Sequence, residues 1–257
     1  MTEDFETLRG YEPEQGALDG RVILITGAAG GIGRAVARGC GRHGAQLLLL
    51  DHDERGLNSL YDEFIAERWP EPVLCPVDLG GVGIENLRQV ADAVGAQFGR
   101  LDGLLNNAVW MGPFTPFEHY VPQTWGHVMN VNLAAPFFLT QWCMPLLHKA
   151  PDPVLLFSLQ DASRAYHGAF ALAKAGQRAM VDMLAAEYGP ESIRPVRVMG
   201  IDTGPVETHG RRQNYPGEDP NLHPAPETVV GPYLWALGPN SAGHTGLVLA
   251  RKTGNAG

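Results

Sequence analysis

Six short apolar runs recur along the chain: RVILIT (21–26), AQLLLLD (45–51), PVLCPVD (72–78), LDGLLN (101–106), PVLLFS (153–158) and RPVRVMGI (194–201). A segment long enough for a helix separates each from the next. That alternation predicts a parallel sheet, because parallel neighbours need long crossover connections, usually helical and right-handed. The runs are apolar throughout instead of alternating, the pattern of strands covered by helices on both faces. A final run, TGLVLA (245–250), adds an edge strand. Helices are expected at 31–43, 53–68, 84–98, 122–149, 168–188 and 226–237. The fold class is therefore α/β, a doubly wound parallel sheet of about seven strands. With 257 residues, 44% of them hydrophobic, the chain can bury one full core, so a single domain over 21–257 is expected behind a polar arm, 1–20.

The net charge of −9, without a run of Lys or Arg, argues against nucleic acid or an anionic membrane surface as partner. No uninterrupted apolar run reaches about 18 residues, and the acidic N-terminus lacks a basic region followed by an apolar one. Three widely spaced cysteines, Cys40, Cys75 and Cys143, offer neither a disulfide framework nor a CxxC metal site, which suits a reducing compartment. The nine histidines show no HxH or HExxH spacing, so no metal is expected. These features describe a cytoplasmic protein whose partners are small molecules or proteins.

Thr26-Gly27-Ala28-Ala29-Gly30-Gly31-Ile32-Gly33 follows the first strand directly and opens a helix. Glycines let the backbone turn tightly and approach a pyrophosphate, whose charge meets the free N–H groups of the helix N-terminus. Asp51 ends the second strand 24 residues beyond Gly27, close to the offset at which a carboxylate binds the ribose hydroxyls of adenosine. Neither Ala28, Ala29 nor His52 supplies an obligate cation for a 2′-phosphate, so NAD(H) is expected in preference to NADP(H).

On these residues the chain resembles the short-chain dehydrogenase/reductase family, whose TGxxxGxG motif is matched at Thr26, Gly27, Gly31 and Gly33, and the resemblance runs from about residue 20 to the C-terminus. It implies a Rossmann-type fold. It also implies an adenine site at Asp78 and Leu79, where Asp78 could equally cap a turn. Asn106-Asn107-Ala108-Val109 resembles the family's NNAG segment, with Val109 replacing the glycine. Gly204-Pro205-Val206-Glu207-Thr208 keeps the family's PGPVxT apart from Thr203 in place of proline, which implies that this backbone and the Thr208 hydroxyl bind the carboxamide. A homodimer or homotetramer through the helices of Asn132 and Phe170 is implied too. The GPYLWALG stretch (231–238) and the arm resemble a divergent bacterial branch of the family, which supplies no substrate.

The catalytic positions depart from the family. WGHVMNVNLAAPF (125–137) aligns Asn132 with the asparagine of the proton relay, and Phe170-Ala171-Leu172-Ala173-Lys174 overlies YxxxK. Lys174 would serve the nicotinamide ribose; Phe170 cannot exchange a proton. Counting back the family's usual 13 residues from Phe170 puts the carbonyl-polarising serine at Phe157, whereas aligning the strand end puts it at Leu159 or Gln160. The loop after the fifth strand is shorter than the family's, which leaves the register open, and Ser158 is the one hydroxyl at that strand end, either catalytic or a turn residue. Tyr166, four residues before Phe170, is either a displaced acid or a loop aromatic, and His167 is the one histidine near this chemistry. Trp110, Met111, Phe114 and Tyr215 are expected to wall an apolar substrate space, and the irregular stretch 205–225 to form a mobile lid. Two functions remain open at this point: an NAD-dependent alcohol/carbonyl oxidoreductase with impaired or displaced acid–base chemistry, and a catalytically silent NAD-binding sensor or scaffold.

Overall fold

The computed structural model describes residues 4–81 and 83–252. The first three residues of the arm and 253–257 of the domain lie outside the described residues. Seven strands form one sheet: β1 (Val22–Thr26), β2 (Gln46–Asp51), β3 (Val73–Pro76), β4 (Gly103–Asn106), β5 (Val154–Leu159), β6 (Arg197–Asp202) and β7 (Val248–Ala250). Their order is β3-β2-β1-β4-β5-β6-β7, and every neighbouring pair is parallel. The chain winds outward from β1 to β3, returns to β4 beside β1, and winds outward the other way. Strand order thus reverses between β1 and β4, and the carboxyl ends there frame a crevice.

Helices cover both faces, as the uninterrupted apolar strands require. On one face lie α2 (Gly31–Arg42), α3 (Glu54–Glu67) and α9 (Gly231–Leu237), packing Val36, Leu57, Phe64, Leu234 and Trp235 onto Ile23, Leu47 and Leu156. On the other lie α4 (Ile84–Phe98), α6 (Ala135–Leu147) and α7 (Gly168–Glu187), packing Leu87, Leu139, Leu147 and Val181 onto Leu24, Leu104 and Leu155.

Three stretches differ in detail from the sequence-based expectation. The helix expected over 122–149 is α5 (Pro122–Met129) and α6 joined by a π-helical turn at Asn130–Ala134. Pro136 has no N–H to return to Asn132, and the ladder widens just before it. The helix expected over 226–237 begins only at Gly231, because Pro232 would remove a hydrogen bond from any longer helix; 226–229 is a single 3₁₀ turn. The arm is docked against the core. Asp4 caps α1 (Phe5–Leu8) through Oδ1 to the Thr7 N–H at 2.8 Å, and Phe5, Leu8 and Leu18 are buried against α9. Gly231 permits this contact, since a Cβ there would lie 2.2 Å from the Leu8 carbonyl oxygen.

The 205–225 stretch carries structure of its own. Thr208 caps α8 (His209–Asn214), a 3₁₀ turn spans Pro220–Leu222, and Arg211 grips Glu218 at 2.6 and 2.7 Å.

Candidate cofactor cleft and active site

A cleft of about 1440 Å³ opens along the carboxyl ends of the strands. Its first wall is the glycine loop. Gly27 has φ +67°, and a Cβ on Gly33 would stand 2.0 Å from the Gly27 carbonyl oxygen, so both positions exclude other residues. Gly30 caps α2 with no side chain, and Gly31, Ile32 and Gly33, whose amides begin the helix, line the cleft. That is a cradle for a phosphate anion: room for close backbone approach at the positive end of a helix.

Thr26 and Asn106 lie behind this wall. The Thr26 hydroxyl accepts from the Asn107 and Ala108 N–H groups at 2.9 and 3.0 Å and donates to the Leu105 carbonyl, tying the end of β1 to the end of β4. The Asn106 amide donates to Thr140 at 3.2 Å. Asn107 and Ala108 face the cleft instead.

Asp51 lines one end of the cleft. Its Oδ2 accepts from the Ala29 N–H and its Oδ1 from the Asp53 N–H, both at 3.0 Å, and His52 Nδ1 stands 3.0 Å from Oδ1. A carboxylate has about four acceptor sites, so capacity for a hydroxyl remains. Asp78 and Leu79 line the same end, and Asp78 Oδ1 caps its own turn by accepting from Gly80 at 2.9 Å. Of the two alternatives for Asp78, the turn cap is formed. Opposite, Gly204 adopts φ +60°, Val206 is buried, and Gly204, Val206 and Thr208 line the cleft. The Thr208 hydroxyl is already the α8 cap, and its methyl group packs toward Gly31.

A profile for short chain dehydrogenases matches residues 21–219, most of the chain. The chain belongs to the short chain dehydrogenase family. It is 36% identical over 247 residues to the uncharacterized oxidoreductase YciK of Escherichia coli (strain K12), covering 95% of this chain and 96% of that protein. Among solved structures, a short chain dehydrogenase from Pseudomonas syringae superposes with a TM-score of 0.88 at 37% identity, covering 93% of this chain and 98% of that one. A short chain dehydrogenase from Shigella flexneri 2a str. 301, complexed with NADP, gives 0.85 at 35% identity, covering 92% and 99%. The fold, the seven-stranded sheet and the membership expected from TGxxxGxG are as read from the sequence.

Lys174 is 5% exposed and lines the cleft floor, donating from Nζ to the Ser158 carbonyl and to Gln177 Oε1, each at 2.9 Å. Removal from water drives its pKa down and Asp202 opposes the shift, leaving it at about 8. Asn132 is fully buried, its amide donating to the carbonyls of Trp110 and Val128 and accepting from the Trp110 N–H. Phe170 is 0% exposed, packed among Val128, Ala162 and Ala169 with its ring centre 5.8 Å from Lys174 Nζ.

Ser158 presents its carbonyl, not its hydroxyl, to Lys174. The hydroxyl lies 2.9 Å from Asn107 Oδ1 and 3.0 Å from the buried Tyr233 hydroxyl. Leu159 and Gln160, the alternative serine positions, line the cleft. Tyr166 is 60% exposed, away from the cleft, with φ +70°, a costly angle for a residue with a Cβ. Trp110 and Met111 wall the cleft as expected. Phe114 and Tyr215 instead pack on each other at 5.0 Å, with His167 4.9 Å from Phe114 and 3.3 Å from the Tyr215 hydroxyl.

Two polar residues at this site escaped the sequence analysis. Tyr233 sits in the GPYLWALG stretch, which marked a branch of the family and no role at the site. Gln177 left a signal: it is a polar residue three positions after Lys174, on the same helix face and among apolar neighbours.

Proposed function

We propose that this protein is an NAD(H)-binding oxidoreductase of the short chain dehydrogenase family, acting on an alcohol or carbonyl compound with its usual acid–base pair missing. The observation that carries this reading is the pairing of an intact, buried Lys174 with Phe170 one helical turn away. The glycine cradle and the ribose-facing end at Asp51 fit a dinucleotide. When bound, the nicotinamide supplies or accepts the hydride. Lys174 would hold its ribose with the N–H that Ser158 and Gln177 leave free, while Gly204 and Val206 would seat the carboxamide.

NAD(H) is preferred over NADP(H) in this reading because Asp51 would face a 2′-phosphate across the rim with only His52 beside it. The NADP of the Shigella relative is a property of that protein. Fluorescence titration with NADH and NADPH should show tighter NADH binding, and Asp51→Ala should narrow the gap. Equal or reversed affinities would overturn the assignment.

A second reading, a catalytically silent NAD(H) sensor or scaffold, is favoured by a separate observation: the Ser158 hydroxyl is engaged by Asn107 and Tyr233, and Tyr166 lies outside the cleft lining. Loss of a positioned acid costs about 10²–10⁴ in rate, and loss of an oxyanion donor about 10²–10³. We further propose a cytoplasmic homodimer or homotetramer through α6 and α7, on which Phe137, Leu172 and Met183 are exposed; light scattering tests it.

A further inference from the structure

Gln177 is 1% exposed and bonded at both ends. Its Oε1 accepts from Lys174 Nζ at 2.9 Å, and its Nε2 donates to the Asn132 carbonyl at 2.6 Å. That carbonyl is available because Pro136, four residues on, has no N–H to offer it. Lys174 therefore sits at the end of a chain of fixed groups. One of its three N–H groups goes to Ser158, one to Gln177, and one remains for the cleft.

We propose that Gln177 is the positioning residue of Lys174, clamping the ammonium against the Asn132 carbonyl so that its last N–H is held toward the bound dinucleotide. The proposal rests on the reading that NAD(H) occupies the cleft, yet its effect on Lys174 exists without cofactor. A burial this complete leaves a buried charge costly unless it is hydrogen-bonded, and a neutral amide is the partner supplied. Asp202 on β6 is the charged group that acts on Lys174; Asn132, Ser158 and Phe170 around it are uncharged. An amide accepts and donates at once but does not carry a proton near neutral pH, as a water or a carboxyl group in its place would. Lys174 consequently exchanges its proton through the cleft.

The chain has only three lysines, and Lys149 and Lys252 are exposed, so the Lys174 signal can be followed alone by NMR of protein labelled with ¹³Cε-lysine, without cofactor. The parent midpoint should lie near pH 8. Gln177→Met keeps the length and removes the acceptor, which should lower the midpoint by about one pH unit, the worth of one hydrogen bond to a charged group. Gln177→Glu places a carboxylate there and should raise it by at least about one unit. NADH affinity at pH 7, titrated on the same samples, should fall several-fold in Gln177→Met. Midpoints within about 0.3 unit of the parent in both variants, whatever happens to Tm, would reduce Gln177 to packing and overturn the proposal. If Gln177→Met does not fold, Gln177→Glu decides alone by the same criterion. Opposite shifts without NADH binding would uphold the clamp and refute the cofactor reading instead.

Discussion

Lys174→Met turns the buried ammonium into a measurable stability term. In the folded protein the Lys174 pKa falls from 10.5 to about 8, chiefly by desolvation, with Asp202 opposing. Between those values the unfolded chain binds more protons than the folded one, so stability must rise with pH there. The cost of the buried charge is fully present below about pH 8 and is relieved as pH climbs toward 10.5. Integrated from pH 7 to pH 10, the two titration curves give about 2.5 kcal/mol. Methionine matches the length of the stem and does not titrate. Urea unfolding of both proteins at several pH values cancels, to first order, the contribution of the other ionising groups. The parent should gain about 2.5 kcal/mol on Lys174→Met across this range. The same variant should bind NADH more weakly by one to a few kcal/mol, about the worth of a charge-assisted hydrogen bond. A stability gap independent of pH would mean that Lys174 titrates near its ordinary value, and the buried-ammonium argument would fail.

Phe170→Tyr, alone or with Leu159→Ser or Gln160→Ser, should raise single-turnover NADH oxidation by small ketones at least about tenfold, a conservative part of an acid's contribution; no gain with NADH still bound favours the silent reading. Phe5→Ala should lower stability by about 3 kcal/mol in urea unfolding, since the ring is 1% exposed, and an unchanged midpoint would show the arm to be dispensable to the core.

The sheet was legible because burial on both faces leaves a plain mark: every residue of β1 is apolar or paired at the strand end, and the spacers are of helical length. The glycine loop was equally plain, since Gly27 and Gly33 answer to backbone geometry that other residues violate. The arm misled because Phe5, Leu8 and Leu18 are spread among acidic residues, so no period marks them as core. Ser158 shows a different limit. Its position at the strand end was evident, but whether hydroxyl or carbonyl meets Lys174 depends on which face of β5 each atom leaves, and the shortened loop behind it hides that register. Phe114 and Tyr215 pair with His167 through contacts between loops distant in sequence, which leave no local pattern.

The two halves of the site are also built from different materials, and this decides how each can be lost. Gly27, Gly31, Ile32, Gly33, Gly204 and Val206 contribute backbone that the sheet and α2 must place in any case; abolishing the cradle means distorting the fold. The acid–base half is made of side-chain atoms alone, and Phe170 shows what replaces one of them. Its ring fills a cluster with Val128, Ala162 and Ala169 and needs no hydrogen-bond partner, whereas a tyrosine in that enclosure must satisfy its hydroxyl. In the proposed reading, losing the proton donor therefore leaves the core intact or improves it. Lys174 stands apart from that trend, because an ammonium buried without a carboxylate in contact is held at a cost to stability, and Gln177, Ser158 and Asn132 are arranged to hold it. A residue kept against its cost points to a ligand that uses it. In the reading proposed above, the ligand that would meet Lys174 on the cleft floor, and the glycine cradle and Asp51 along its walls, is a dinucleotide.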